Sequence, residues 1–572
     1  MKLLVLWGLS LTGGAAALRT ASRGVAETPH DGNRPDFESG AASTGSCREV
    51  PLRPTHGAPP VWPCKERSRE LAENMLMTHL DQWNSSTARG RDDPPLPGQS
   101  LGRLTGAQAF AFSHLVAGSV GVVREMERPV DNQVVLEASE LDGEGFGTPA
   151  TVVIDGGRFV MYYHRSRRGI IGRAESQDGL HWENRTKLNI HKIGDGSDFC
   201  VLLDKYEKDA RFKWKMIANC RLVKDNTCFF SSADGLTWTP HNRGREIYGP
   251  FADTLACLHH DAPGKDYQLL VRYEKSNPKL AGRGIRGTVV LNGTLDGVLK
   301  KYGKVGGQFD ANELSRTLFD SEFGDAEMFR RQLYSLSRTA FPDAGYMGIA
   351  QVYEYVCRST DPRLDQRRAA ELGLEEDYDS VFMYLMPSRD GLHFDRSWAY
   401  AGVRMLPDDL TDGYHFFSPA AELVTHQGYH WLYYDRNRER HLTRFQGKDA
   451  LRNHIAVARF REGRLVRLRP VQENGVVVTQ AFDFDPAQRL TLDALSWNSS
   501  SSLTVELLAA GGSSAGGADL LKEPAVARSA PILGANGSAP VTWLDDVKPF
   551  GGQPVRLRLG LSFAYLYGFQ LD

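Results

Sequence analysis

The 572-residue chain is poor in three features that would narrow its class. Its 7 cysteines are too few for a disulfide-dense scaffold. It contains 68 Lys and Arg against 70 Asp and Glu, and no long basic run, so the charge pattern that attracts nucleic acid is missing. After the first residues, no apolar run reaches the ~18 residues of a membrane-spanning helix. These absences predict no nucleic-acid partner and no membrane span.

The N-terminal residues have the order of a secretory signal. Met1 and Lys2 precede an apolar run over residues 3–11 and small residues at 13–17. This order predicts a signal peptide over residues 1–17 and a secreted, extracellular protein. Six glycosylation triplets agree with a glycoprotein; they begin at Asn84, Asn184, Asn226, Asn292, Asn498 and Asn536.

The length predicts more than one domain, because single cores stop growing near ~250–300 residues. Residues 18–140 are rich in Gly, Pro, Ser and charge, which predicts an irregular N-terminal extension. Aromatic and β-branched runs dominate residues 141–470, and short alternating runs dominate residues 471–572. Both patterns are typical of β-strands.

Five aromatic runs recur in the middle of the chain, at 159–163, 212–217, 267–273, 346–355 and 429–434. The period is about fifty residues, and each run follows another short apolar segment. Such a period with strand signals alone predicts a five-bladed β-propeller. The preceding segments, at 150–154, 199–203, 255–258, 333–336 and 416–423, are the predicted innermost strands.

Three near-copies of the pattern Ser-x-Asp-Gly-x-x-aromatic follow the aromatic runs, at 176–182, 232–238 and 388–394. Asp-Gly supplies the positive φ that a tight hairpin turn requires. We interpret these repeats as structural turns and not as catalytic groups.

The C-terminal strands 490–492, 503–508 and 555–559 alternate in polarity as half-exposed strands do. About a hundred residues of short strands is the size of a β-sandwich. The predicted fold class is therefore all-β: a five-bladed propeller followed by a C-terminal β-sandwich, with the irregular extension before both.

The aspartate-glycine turns, the 159–163 strand and the ending 554–559 before 565–569 resemble those of the superfamily of glycoside hydrolase families 32 and 43. The resemblance covers roughly residues 140–572. It implies a hydrolase that acts on an oligo- or polysaccharide by carboxylate acid/base catalysis, with acidic groups on successive innermost strands.

The usual ligand site of a propeller is the mouth of its channel, around the starts of the innermost strands. Those starts lie about fourteen positions before each aromatic run, so the residues there are candidates. These residues are Gly145, Asp198, Asp253, Gln332 and His415, and either Thr148 or Thr151 could replace Gly145. Asp198 and Asp253 fit two catalytic carboxylates. The family pattern also indicates the loop 322–327, with Glu327 as the first choice for the acid and Asp325 and Glu322 after it.

Substrate binding is predicted for Arg272, Glu274, Gln332 and His415, although Arg272 and Glu274 could instead form an ion pair between blades. The triplet 259–261, His-His-Asp, has the composition of a metal site but a position typical of a hairpin turn. We expect no metal and no cofactor. Two disulfides are possible, Cys200 with Cys257 and Cys220 with Cys228.

Two alternatives to the enzyme remain open. The signatures Asn-Asp-Pro-Asn-Gly, Arg-Asp-Pro and Glu-Cys of the invertase type do not occur in the chain, which favours a carbohydrate-binding protein that has lost catalysis. The propeller could also be an interaction platform for an extracellular protein partner. The sequence does not distinguish these three functions.

Overall fold

The structure is a computed structural model. It describes residues 100–137, 148–166, 170–188, 190, 199–220, 226–241, 256–276, 284–304, 331–341, 344–355, 379–392, 394–396, 398–399, 403–439, 454–510 and 521–572. In these ranges β-strands are the main regular structure and helices are few and short, so the predicted all-β class is confirmed.

The N-terminal part contains regular strands. They are β1 (Gly106–Ala109), β2 (Val116–Val120), β3 (Val122–Met126) and β4 (Asp131–Leu136), with a short 3-10 turn at Ser113–Leu115. Each strand pairs with a strand more than three hundred residues later in the chain. The prediction of an irregular extension is therefore wrong for residues 106–136, where distant partners outweigh an unfavourable local composition.

Two four-stranded antiparallel sheets follow. Sheet 1 contains β5 (Pro149–Asp155), β6 (Arg158–Ser166), β7 (Ile170–Ser176) and β8 (Glu183–Leu188). Sheet 2 contains β9 (Phe199–Leu203), β10 (Trp214–Cys220), β11 (Asn226–Ser232) and β12 (Thr239–Pro240), with a 3-10 turn at Ala210–Phe212. The predicted strand at 199–203 is confirmed, whereas the one at 212–217 begins two residues late because of that turn.

Sheets 3 and 4 each show three strands in the described ranges. Sheet 3 contains β13 (Cys257–His259), β14 (Tyr267–Ser276) and β15 (Gly284–Gly293), and helix α1 (Leu295–Lys304) follows it. Sheet 4 contains β16 (Arg331–Phe341), β17 (Gly345–Tyr355) and β18 (Asp379–Ser388). A one-turn helix α2 (Asp408–Thr411) leads to the next sheet.

Sheet 5 combines one early strand with four strands from much later in the chain. It contains β19 (Phe416–Pro419), β20 (Val424–His426), β21 (Tyr429–Asn437) and β22 (His454–Arg461), and β4 pairs with the outer side of β22. A single parallel pair, Val381 opposite Phe416, connects β18 with β19. The N-terminal strand β4 therefore completes a sheet whose other strands come last in this series.

The five sheets contact one another in a cyclic order. Strand β5 contacts β9, β9 contacts β13, and β15 contacts β16. Strand β18 contacts β19, and strands β19, β20 and β21 contact β5. The contacts therefore return from the fifth sheet to the first.

Two further sheets contain the C-terminal strands. Sheet 6 contains β1, β3, β23 (Val466–Pro470), β26 (Leu490–Ser496), β30 (Asn536–Pro540) and β32 (Ala564–Leu571). Sheet 7 contains β2, β24 (Asn474–Thr479), β25 (Phe482–Asp483), β27 (Ser502–Ala509), β28 (Ala527–Arg528), β29 (Ile532–Leu533) and β31 (Pro554–Ser562). A 3-10 turn lies at Lys548–Phe550. Buried side chains of both sheets belong to one hydrophobic cluster, which includes Leu492, Leu507, Leu559 and Leu566.

The aspartate-glycine turns have the predicted geometry. Gly179, Gly235 and Gly391 have φ values of 75°, 71° and 75°. In each turn the glycine N–H donates to the serine hydroxyl three residues earlier. Two of the turns also contact a neighbouring sheet. Tyr433 of sheet 5 donates to the carbonyl of Gly179 in sheet 1, and Tyr162 of sheet 1 donates to that of Gly235 in sheet 2. Their role is therefore structural.

Candidate functional site

Side chains from sheets 1, 2 and 5 meet at one end of these sheets. The first strand of each sheet begins there and the antiparallel second strand ends there, as the pairs Pro149 with Tyr163, Phe199 with Ala218 and Ser418 with Asp435 show. We call this the entrance end.

Four residues from three sheets form the entrance cluster: Thr148, His164, Phe199 and Asp435. The Thr148 hydroxyl donates to Oδ2 of Asp435 at 2.8 Å, and the Thr148 carbonyl accepts from the N–H of His164 at 2.9 Å. The His164 ring lies 4.7 Å from the Phe199 ring. Asp435 is fully buried and His164 is 5% exposed, so contacts between side chains fix this end of the three sheets.

The carboxylate of Asp435 was not among the predicted site residues. It directly follows the aromatic run 429–434, as His164 directly follows the run 159–163. Because the second strand runs towards the entrance end, the first polar residue after such a run arrives there. That position is the signal that would have identified both residues.

The predicted first-choice catalytic residues, Asp198, Asp253 and Glu327, lie outside the described residues, as do Gly145, Glu322 and Asp325. Asp198 directly precedes Phe199, the first residue of β9. Asp198 is therefore adjacent in the sequence to a residue of the entrance cluster.

The predicted substrate-binding residues are described in part. Arg272 and Glu274 belong to β14, where their backbones pair with Thr288 and Arg286 of β15, and Gln332 belongs to β16. The side chains of these three residues lie outside the described part of the structure. Their predicted roles remain predictions.

His415 is the predicted binding residue whose side chain is described. It lies immediately before β19, and its N–H donates to the Asn437 carbonyl at 2.9 Å. Its Nδ1 is 3.4 Å from the Ser380 hydroxyl, and it is half-buried. His415 therefore lies at the entrance end of sheet 5 and contacts sheet 4.

Thr148 and Thr151, the two alternatives to Gly145, occupy different environments. Thr148 belongs to the entrance cluster, whereas the Thr151 hydroxyl is buried and accepts from the N–H of Val201 at 3.0 Å. Thr151 therefore connects sheets 1 and 2 beneath the entrance cluster.

A short segment after β19 lies among the first strands of four sheets. The N–H of Ala421 donates to the Ala150 carbonyl at 2.9 Å, and its carbonyl accepts from the N–H of Arg338 at 3.2 Å. Its side chain packs against Cys200 and Cys257, which form one of the two disulfides that the sequence allows. The contacted residues Ala150 and Cys200 lie one or two residues after members of the entrance cluster in their strands. We call this layer of contacts around Ala421 the floor.

Cys228 is also disulfide-bonded, and its predicted pairing with Cys220 remains a prediction.

The histidine-histidine-aspartate triplet does not converge on one point. His259 Nδ1 lies 3.1 Å from Glu422, His260 Nδ1 lies 2.9 Å from Asp204, and Asp261 accepts from Arg338 at 2.7 Å. Within the described ranges, no three His, Cys, Asp or Glu side chains are arranged to hold a metal ion.

A buried charge network lies at the opposite end of sheets 2 and 3. Asp204, just after β9, accepts from Lys215 at 2.8 Å and from the Tyr267 hydroxyl at 2.6 Å, with His260 at its other oxygen. Burial alone raises the pKa of Asp204, but the hydrogen bonds from Lys215, Tyr267 and His260 outweigh it and lower that pKa. Burial and the neighbouring carboxylate raise the pKa of Tyr267. The Asp204–Lys215 ion pair, with hydrogen bonds from its neighbours to Asp204, therefore holds the two sheets together.

The chain matches no protein-family model and no curated protein sequence. Among solved structures, a thermostable family-43 glycoside hydrolase is 10% identical, with a TM-score of 0.33 over 56% of this chain and 91% of that one. A β-fructofuranosidase from Schwanniomyces occidentalis is 9% identical, with a TM-score of 0.31 over 78% and 98%. An exo-inulinase from Aspergillus awamori is 10% identical, with a TM-score of 0.31 over 78% and 99%. At these scores the likeness decides neither fold nor activity.

No helix in the described ranges has both the length and the apolar composition needed to cross a membrane.

Proposed function

We propose that this chain is a secreted, glycoside hydrolase-like protein that acts on an oligo- or polysaccharide by carboxylate acid/base catalysis. The observation that carries the proposal is the entrance cluster, in which Thr148 and His164 of sheet 1 meet Phe199 of sheet 2 and Asp435 of sheet 5. Asp198, a predicted catalytic carboxylate, is the residue before Phe199 in the sequence. We therefore propose that its carboxylate acts beside this cluster.

The proposed architecture is a five-bladed β-propeller followed by a β-sandwich. The cyclic order of contacts among sheets 1 to 5 supports the propeller, and the shared core of sheets 6 and 7 supports the sandwich. In this architecture the entrance end is the channel mouth, and the floor around Ala421 closes the channel beneath it.

The chemistry requires one group to protonate the leaving oxygen and one carboxylate to activate water or attack carbon, at a separation of about 5–10 Å. Asp198 and Asp253 are the proposed carboxylates and Glu327 the proposed acid. Asp435 is fully buried and bonded to Thr148, so we assign it a positioning role beneath the site. Arg272, Glu274, Gln332 and His415 are the proposed sugar-binding groups.

The disulfide between Cys200 and Cys257 supports secretion, because disulfides persist in oxidising compartments. We propose that residues 1–17 are removed as a signal peptide. N-terminal sequencing of the protein recovered from the medium of secreting cells tests this directly. A mature protein that retains Met1, or one found only in the cytosol, would contradict it.

The activity test is release of reducing sugar from fructans, arabinans, xylans and cell-wall glycans by the purified chain. We expect release by the wild type and at least a hundredfold less by Asp198→Asn and by Asp253→Asn. Asp296→Asn changes an exposed carboxylate on α1 and should retain full activity. Unchanged release by both site variants would overturn the proposed roles. Glycan binding without release by the wild type would favour the carbohydrate-binding alternative.

A further inference from the structure

The outer face of sheet 6 carries an exposed aromatic patch. Trp497, in the turn between β26 and β27, is 37% exposed. Its ring lies 5.1 Å from that of Tyr565 and 6.2 Å from that of Phe563. The guanidinium of Arg467 covers the Tyr565 ring at 4.1 Å. An indole held rigidly by its neighbours and open to solvent is a surface that a further group can cover.

Two glycosylation triplets adjoin this aromatic patch. Asn498 follows Trp497 directly, and Asn536 opens β30. The N–H of Ser496 donates to the carbonyl of Ala535 at 2.8 Å, which brings the two triplets to the same end of the sheet. Both asparagines are exposed.

Strand register places Asn536 on the patch side of sheet 6. Leu495 lies opposite Asn536 on one side and opposite Tyr565 on the other. Directly opposed residues point to the same face of a sheet. The next residue pair, Ala494 with Leu566, is fully buried on the other face. Asn536 is thus two strand spacings, or roughly 10 Å, from Tyr565 across the outer face.

Two other triplets whose asparagine side chains are described are less favourably placed. The side-chain amide of Asn184 donates to Glu175 at 3.2 Å, and Asn292 is half-buried within β15. Asn498 instead accepts from the N–H of Ser500 through Oδ1 at 2.9 Å, which leaves its Nδ2 directed away from that turn. A glycan added during synthesis is compatible with the fold only where the asparagine faces solvent.

From these positions we infer that Asn498 and Asn536 carry N-linked glycans, and that the first sugars on Asn536 cover the exposed indole of Trp497 in the aromatic patch. The inference rests on the proposed secretion of the chain. The donor is a lipid-diphosphate-linked oligosaccharide. A bond forms between Nδ2 and C1 of the first sugar, the bond from C1 to the diphosphate oxygen breaks, the lipid diphosphate leaves with the electron pair, and the amide loses one proton. The sugar C–H groups then pack on the exposed, electron-rich face of the Trp497 indole.

The occupancy test uses the full chain secreted by eukaryotic cells, with mass spectrometry of the two glycopeptides before and after enzymatic release. Ser500→Ala and Ser538→Ala remove the third residue of each triplet and should each abolish one glycan. Ser499→Ala changes the variable middle position and should leave the Asn498 glycan in place. Secreted protein with both asparagines unmodified would overturn this inference alone. Retention in the cytosol without glycans would overturn it together with the proposed secretion.

The packing test compares thermal midpoints before and after enzymatic removal of the glycans. We expect removal to lower the midpoint of the Ser500→Ala protein, which keeps the Asn536 glycan, by roughly 2–4 °C. The same removal should change the midpoint of Ser500→Ala/Trp497→Ala by less than half as much. In Ser500→Ala/Trp497→Phe, which keeps an aromatic ring, the change should lie between these two values. Equal shifts in all three proteins would overturn the contact between the glycan and the aromatic patch.

Discussion

The phenolic hydroxyl of Tyr433 donates a 2.8 Å hydrogen bond to the carbonyl of Gly179, which lies 254 residues earlier in the chain. Tyr433 is fully buried, and the bond joins sheet 5 to a turn of sheet 1. A Cβ at Gly179 would lie 2.6 Å from this hydroxyl and 2.8 Å from Trp431. The turn therefore requires glycine for two reasons, its positive φ and this close approach.

Gly179→Ala should be more destabilising than a glycine change with a similar φ in open space. Gly157 has a φ of 80°, and a Cβ added there would have no atom within 4 Å, so Gly157→Ala measures the backbone cost alone, about 1 kcal/mol. We expect Gly179→Ala to lower the free energy of unfolding by roughly 1–3 kcal/mol more. Urea unfolding of both variants measures the difference. Equal losses would show that Tyr433 and Trp431 do not restrict this turn.

Lys215→Met should destabilise the fold strongly, because it leaves the buried carboxylate of Asp204 without its cation. We expect a loss of roughly 3–5 kcal/mol in the free energy of unfolding. The double variant Asp204→Asn/Lys215→Met should be less destabilised than the sum of the two single variants. Arg128→Met breaks an ion pair whose partners are both more than half exposed, and it should leave stability unchanged. If the losses of the two single variants simply add up in the double variant, Asp204 and Lys215 are not coupled.

The fold should lose stability below pH 6.5 through His430. Burial lowers the pKa of His430 to about 4, and its Nε2 accepts from the N–H of Gly463 at 2.9 Å, a bond that protonation would break. The unfolded chain binds the proton near pH 6.5, so folding stability is complete above that pH and is lost as the pH falls towards 4. The expected loss is about 2 kcal/mol between pH 7 and pH 5.

His430→Gln should lose less stability than the wild type between pH 7 and pH 5, and the difference should equal that amount. Urea unfolding of both proteins at the two pH values measures it. His181 is the control, because its side chain is exposed and its hydrogen bond to Asp178 raises its pKa. His181→Gln should not flatten the dependence. An unchanged slope in His430→Gln would refute the assignment.

Removing the disulfide should weaken the fold appreciably. Cys200 and Cys257 are 57 residues apart. In the chain-entropy treatment, closing a loop of that length raises the free energy of the unfolded state by roughly 4 kcal/mol. Cys200→Ser/Cys257→Ser should therefore lower the urea midpoint. Mass spectrometry without reductant checks that the wild type has the bond. A double variant as stable as the oxidised wild type would contradict the expectation.

Local patterns were sufficient to predict many strands. The segment 199–203 is β9, and the runs 267–273 and 429–434 lie within β14 and β21. The aspartate-glycine turns were predicted from four residues because the required φ is a local property. Side-chain alternation and turn chemistry are both encoded within a few positions.

Long-range pairing was not predictable in the same way. Residues 106–136 have the composition of a loose segment, yet β1 to β4 are fixed by partners in sheets 5, 6 and 7. The entrance cluster likewise depends on Thr148 reaching Asp435 across 287 residues. The place of each residue beside a strand run can be read from the local sequence, but their contact becomes visible only when the sheets are assembled.

The position of β4 in the chain also determines how long this strand waits for its partner during synthesis. Asp131 of β4 accepts a hydrogen bond from Arg459 of β22, 328 residues later. At about 5–20 residues per second, a ribosome needs roughly 15–65 s to make the intervening chain. Through that interval β4 has no partner strand, and an unpaired strand is prone to associate with other chains. Production of this protein should therefore respond to slower translation and to chaperones that shield nascent chains, and much less to conditions applied after the chain is released.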